Sequence, residues 1–306
     1  LAALFYLADR LNKGRELYEM LYDKTMAFGQ RKIREKISCG HKVRVAFLTI
    51  SAAEWAAENV YHMLSEDGRL ECFVVVCPLM DREREVRRKT EEQSYCFFKD
   101  NGYNVKRIYN DELDVSVGWE QIGGLPDIVI HLTSWYEALP APFQIEQFPL
   151  YILNYYIPYA MYVENSLDGN YVKQAVYNKQ FMNLLKRVYA DSEANLKGYE
   201  KYGLLHGKNV LYSGYAKMDY FQERREYTEQ VIRNIWKMSD DADTKEVKKI
   251  IIAPHHSVEP SGGVLEFSTF TRNAWFWLYL ARKYQDKISF IFKPHPNLRM
   301  KAVWTQ

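Results

Sequence analysis

Two segments combine residue types that can handle a phosphate-bearing ligand. Ile250–Val258 (IIIAPHHSV) and Ile288–Asn297 (ISFIFKPHPN) each carry an apolar run into a proline and then into histidine. Three of the seven histidines fall in these two loops: His255, His256 and His295. An imidazole titrates near neutrality, so it can take a proton from a hydroxyl or donate a hydrogen bond to a leaving pyrophosphate. Lys293 adds a compact positive charge suited to phosphate. Ser257, with Ser261, Gly262 and Gly263, precedes a helix expected to start near Ser268–Thr269, where backbone N–H groups can face an anion. Two other readings stay open. The imidazoles can be loop residues with structural hydrogen bonds, or they can bind zinc. The zinc reading is disfavoured because no spaced Cys, Asp or Glu completes a ligand set, so no metal and no cofactor is expected.

A second group of residues lies earlier in the chain. His131 ends the run DIVIHL (127–132), with Thr133, Ser134 and Trp135 behind it. It can line an acceptor groove or pack in the core. Asn154–Tyr162 (NYYIPYAMY) also follows a strand-like run, and Tyr156 and Tyr159 can stack on a sugar or base or simply fill space. There is no P-loop, no GxGxxG after a strand and no GxSxG elbow. Gly123-Gly124 precedes Pro126 in a turn and opens no helix.

The elements that must position these residues follow from periodicity. Residues 1–40 space their apolar positions by three and four and predict a helical segment packed on the next domain. From Val43 onward, short β-branched runs alternate with helical stretches: 43–50, 70–77, 105–109, 127–132 and 151–155. That alternation predicts right-handed crossovers and a parallel, Rossmann-like sheet. The rhythm resumes at 187–190, 209–213, 249–253 and 288–292, with helices expected at 171–186, 220–238 and 269–284. The domains read as a helical segment (1–40), a Rossmann-like acceptor domain (41–168) and a Rossmann-like donor domain (169–306). Only four strands precede Gln306 in the last, which is expected to be incomplete.

Composition narrows the class. Forty-one basic against thirty-nine acidic residues leave a formal charge of +2, without the basic excess of a nucleic-acid binder. The run Asp81–Glu92 alternates in sign and reads as a solvated helix face. Hydrophobic residues make up 47%, enough for real cores, yet no apolar stretch approaches the ~20 residues that span a bilayer. Trp275–Ala281 (WFWLYLA) is far too short and reads as helix core. The four cysteines show no CxxC pair and are expected as reduced thiols in a cytoplasmic protein. Leu1 falls inside an apparent helix, as in a segment of a longer gene product.

In their order, VRVAFLTI, PDIVIHL, NYYIPYAMY, NVLYSGYAKMD (209–219), IIIAPHHSV and FIFKPHPNL resemble the CDP-glycerol glycerophosphotransferase family, which includes teichoic-acid polymerases and capsule-cluster relatives. Gly214, Tyr215, Lys217 and Asp219, with the Lys-Pro-His-Pro loop, carry most of the likeness. The resemblance implies a GT-B-like α/β fold and a transferase moving a phospho-polyol or sugar from a nucleotide-activated donor. The acceptor would be a surface glycan or its lipid-linked precursor, with contact to the inner face of the membrane peripheral at most. His295 resembles the family histidine that handles donor phosphates; Lys293, Ser257, Gly214, Lys217 and Asp219 are its expected companions, and His255 or His256 the assisting base. Family polymerases carry His-Gly-x-Pro in the first domain, whereas this chain reads Tyr155-Tyr156-Ile157-Pro158. The alternatives are a GT-B glycosyltransferase using a nucleotide sugar and a noncatalytic binding module of the same fold.

Overall fold

The structure is a computed structural model that describes residues 1–11, 14–162, 173–222, 226–258, 268–285, 287–295 and 298. The chain divides into two compact units, Leu1–Glu223 and Arg224–Gln306.

The first unit opens with helices α1 (Ala2–Arg10) and α2 (Arg15–Ser38). It continues through β1 (Val43–Thr49), α3 (Glu58–Ser65), β2 (Leu70–Val76), α4 (Arg84–Asp100) and β3 (Val105–Arg107). A small antiparallel pair, β4 (Tyr109–Asn110) and β5 (Val115–Ser116), precedes β6 (Ile128–His131) and β7 (Leu153–Tyr156). Then come α5 (Gln180–Leu184), β8 (Arg187–Ala190), α6 (Glu193–Tyr202), β9 (Val210–Tyr212) and α7 (Asp219–Gln222). Seven strands form one sheet in the order β3-β2-β1-β6-β7-β8-β9, every pair parallel. The order runs outward in one direction from β1 and in the other from β6, so the topological switch point lies between their carboxyl ends. This is the Rossmann-like α/β domain that the alternating pattern predicts.

The near-continuous apolar run of β1 is explained by burial on both faces. Val43, Val45 and Phe47 join one buried cluster with Val74, Val76 and Phe98, while Ala46 and Leu48 join another with Phe73, Val75 and Phe143. A period of two thus splits one strand between two cores. The N-terminal helices pack on this domain, as expected. Tyr18 and Tyr22 donate hydrogen bonds to the carbonyls of Asn183 (2.6 Å) and Leu185 (2.7 Å). Gly29 permits the closest approach: a Cβ there would stand 2.5 Å from Leu153 Cδ2 and 2.8 Å from the Tyr151 carbonyl oxygen.

Several expectations change. The boundary expected at 168/169 is not where the first sheet ends, because β8 and β9 continue it and the compact unit runs to Glu223. Strand and helix alternate through this stretch without interruption, so sequence pattern has no marker for a change of sheet. The helix expected at 171–186 resolves into a π-helical turn, Lys173–Tyr177, and the short α5. The charged run in α4 is not wholly solvated either. Arg87 and Glu91 are buried, and they pair with Asp114 and Arg107, each at 2.9 Å. Gly123 and Gly124 do form a turn, both at positive φ, with their carbonyls accepting from the Arg44 guanidinium.

The second unit contains α8 (Glu229–Trp236), β10 (Lys248–Ile252), α9 (Phe270–Lys283) and β11 (Ile288–Phe292). β10 and β11 pair in parallel, Lys248 opposite Ile288 through Ile252 opposite Phe292. The sequence reading of Trp275–Ala281 as core is not met: Trp275, Phe276, Leu278 and Tyr279 are all exposed, and no residue of α9 is buried. Among the described residues, no helix is long and apolar enough to cross a membrane. Cys72 and Cys77 are buried free thiols, and Cys39 and Cys96 are exposed.

Candidate functional site

The imidazole site is built by the two strands of the second unit and the prolines that end them. Beyond the last paired residues, the Lys293 N–H donates to the Ile252 carbonyl at 2.8 Å and the His295 N–H to the Pro254 carbonyl at 3.0 Å. The parallel ladder therefore runs on past β10 and β11, and the two loops leave the sheet side by side. Pro254 and Pro294 lack a donor and have a fixed φ, which limits how the chain can turn there. After His255 the backbone bends, and the Val258 N–H reaches the His256 carbonyl at 3.0 Å. In an extended chain neighbouring side chains point to opposite faces. This bend instead brings both rings to one side, with centroids 4.1 Å apart.

His295 completes the cluster. Its ring centroid lies 5.3 Å from that of His255 and 4.7 Å from that of His256. One ring nitrogen from each of the three histidines lies within 4.8 Å of the others. The expected convergence of these residues on one strand-end rim is therefore what the structure contains. Ser257, almost fully buried, anchors it: its Oγ is 2.8 Å from His255 Nδ1, and its carbonyl accepts from the Ser268 N–H at 3.0 Å. Partial burial, and next the neighbouring His255, hold the His295 pKa below that of an ordinary imidazole. Both effects favour the neutral ring over the imidazolium. Ser261, Gly262 and Gly263 lie outside the described residues, whereas α9 starts at Phe270 behind Thr269, as predicted.

Gly214, Lys217 and Asp219, expected as donor-binding companions in the second domain, belong to the first unit, just past β9. Gly214 adopts φ +76°, a backbone conformation that favours glycine, with open space where a Cβ would be. Lys217 Nζ donates to the Ala53 carbonyl at 3.3 Å, and Asp219 is exposed at the start of α7.

At the first unit's switch point the expected acceptor residues are mostly interior. His131 is fully buried. One face of its ring meets Phe181 edge-on at 5.1 Å, and Nε2 lies 3.0 Å from Asn154 Oδ1. Burial pulls its pKa down to about 4, partly offset by the Asn154 hydrogen bond. It packs the core rather than lining a groove, because the four-residue strand β6 is covered on both faces. Tyr156 is likewise buried, its ring edge-on to Phe181 at 5.7 Å. Tyr159 is half-buried, with its carbonyl accepting from the Tyr215 hydroxyl at 2.7 Å.

The sequence reading missed Glu54. This residue sits in the 3₁₀ turn Ala52–Glu54 beyond β1, is buried, and has no partner for Oε2 among the described residues. Desolvation raises its pKa to about 8, against a smaller lowering by the Ile50 backbone. A glutamate set among four alanines and a tryptophan (AAEWAA, 52–57) carries no sequence signal of burial; only the switch-point topology supplies it.

A separate open groove of about 610 Å³, lined by residues including Asp243, Lys248, Tyr284 and Lys287, lies at the amino ends of β10 and β11. Ligands of parallel sheets bind at the opposite, carboxyl edge, where the imidazoles are.

No protein-family model matches the chain, and no curated protein does. Solved structures are similar in overall course. The S. aureus MnaA–UDP complex is 16% identical with a TM-score of 0.46 over 85% of this chain and 64% of its own. A putative UDP-N-acetylglucosamine 2-epimerase from Listeria monocytogenes gives 13%, 0.48, 86% and 66% in the same terms. The Neisseria meningitidis UDP-GlcNAc 2-epimerase bound to UDP-GlcNAc gives 17%, 0.44, 85% and 67%. The chain thus spans about two thirds of the length of each, and at this level of likeness none of them assigns a role to a residue here.

Proposed function

We propose that this chain is part of a GT-B-like enzyme that acts on a nucleotide-activated donor and holds the donor's diphosphate at the rim formed by Lys293, His295 and the His255-His256 bend. The observation that carries this reading is the convergence of three imidazoles, beside a lysine, at the carboxyl ends of two adjoining parallel strands. Imidazole N–H groups and the Lys293 side chain can donate hydrogen bonds to phosphate oxygens. In a transfer step, an acceptor hydroxyl oxygen would bond to the donor carbon as the bond from that carbon to the diphosphate breaks. The hydroxyl proton would pass to a base, and the charge on the departing nucleotide would be offset by this rim.

A sugar is the donor group this reading favours. Glycerol-phosphate polymerisation would use a histidine in the first domain, where this chain has Tyr155 and Tyr156, and the Tyr156 ring is buried. His131 on the neighbouring strand is buried too and cannot substitute. The test is calorimetric titration of the chain with UDP, UDP-GlcNAc and CDP-glycerol. Nucleotide binding that falls about tenfold or more in Lys293→Ala and His295→Ala is expected, as for loss of a hydrogen bond to a charged group. Unchanged affinity in both variants would overturn the site. Binding without any turnover across donors and acceptors would leave the noncatalytic reading instead.

A further inference from the structure

We infer that His255, His256 and His295 form a binding site for one divalent transition-metal ion of the zinc type, with a fourth position open to an exogenous ligand. The sequence offers no spaced cysteine or carboxylate to complete a ligand set, which argues against a closed structural site. That objection does not reach a site with three protein ligands, the number used where the fourth position is left to water or substrate. The geometry is close to what such an ion needs. Zinc–imidazole bonds of about 2.0–2.1 Å in a tetrahedron place the nitrogens roughly 3.4 Å apart, and here the three nitrogens lie within 4.8 Å of one another. The two loops that carry these rings are already tied side by side by the Lys293–Ile252 and His295–Pro254 hydrogen bonds.

The surroundings have the form of a metal site's supporting shell. Metal-bound histidines usually direct their other ring nitrogen to a fixed oxygen partner. His255 Nδ1 lies 2.8 Å from the Oγ of the buried Ser257; in the tautomer whose Nδ1–H donates to that oxygen, Nε2 is the nitrogen left to ligate. The donor set selects the metal. Three imidazoles, with no carboxylate in the cluster among the described residues, suit zinc, cobalt, nickel or copper, whereas magnesium and calcium need oxygen ligands. This inference stands on imidazole geometry and not on the donor reading. Where both hold, a phosphate oxygen is the natural fourth ligand.

The experiment uses the full chain, stripped with chelator and titrated with Co²⁺. One equivalent per chain is expected, with the intense visible absorption of a four-coordinate site, displaced by Zn²⁺. His256→Ala and His295→Ala should each weaken Co²⁺ binding more than tenfold, while His206→Ala, in the other unit, leaves it unchanged. X-ray absorption at the zinc edge of the wild-type chain counts imidazole nitrogens directly, so the answer does not depend on the variants folding; three are expected. No stoichiometric ion, or fewer than three imidazoles around it, overturns the inference. Nucleotide titration beside the Co²⁺ titration separates the two proposals: a chain that binds nucleotide but takes up no stoichiometric ion refutes this one and keeps the donor site, and a chain that takes up the ion but no nucleotide does the reverse.

Discussion

His131 and Glu54 flank the switch point of the first unit, and burial moves them in opposite directions. The folded-state pKa of His131, about 4, lies below its unfolded value. The unfolded chain therefore binds the proton first, and stability present at neutral pH is lost as pH falls from about 6.5 towards 4. Glu54, at about 8, lies above its unfolded value. Its contribution is complete below about pH 4.3 and is lost as pH rises through 8. Thermal melts between pH 4 and 9 should show both limbs. Glu54→Gln should flatten the alkaline limb and raise the melting temperature above pH 8, and His131→Gln should flatten the acid limb. An alkaline limb unaltered by Glu54→Gln would show that this carboxyl is not buried in a protonated state.

At the scale of elements, β1 and α2 carry the tightest constraints. Phe47 is fully buried among Trp55 and Tyr61, at ring distances of 5.8 and 5.3 Å. Phe47→Ala should cost about 3–5 kcal/mol, read as a shift in the denaturant midpoint at constant slope. Gly29→Ala places a methyl group against backbone as well as side chain, so α2 must move off β7. A loss of roughly 1–3 kcal/mol is expected; a neutral result would mean that α2 lies farther from the sheet. By contrast Trp275→Ala, at a side chain 82% exposed, should stay within about 0.5 kcal/mol of wild type.

For the whole molecule, the distribution of burial predicts unequal autonomy. The three apolar clusters, with all seven strands of the main sheet, draw their residues from within Leu1–Glu223. Among the described residues of the second unit, α8 and α9 bury nothing, and its sheet has two strands. A fragment of residues 1–223 should melt cooperatively, whereas residues 224–306 alone should not, because the entropy of ordering a chain must be offset by buried apolar area. A non-cooperative 1–223 fragment, followed by near-ultraviolet circular dichroism on heating, would refute this division.

Local pattern determined the strands, the parallel sheet, the packed N-terminal helices and the two proline-ended loops, because each depends on periodicity or on a backbone restriction that neighbouring residues supply. It also marked His255, His256 and His295, since proline after an apolar run fixes where a strand stops. Tertiary structure alone decided that β8 and β9 extend the first sheet, that His131 and Tyr156 are interior, and that Glu54 is buried. Strand order and residue burial are set by contacts between segments tens of residues apart, and alternation along the chain is the same whichever sheet a strand joins.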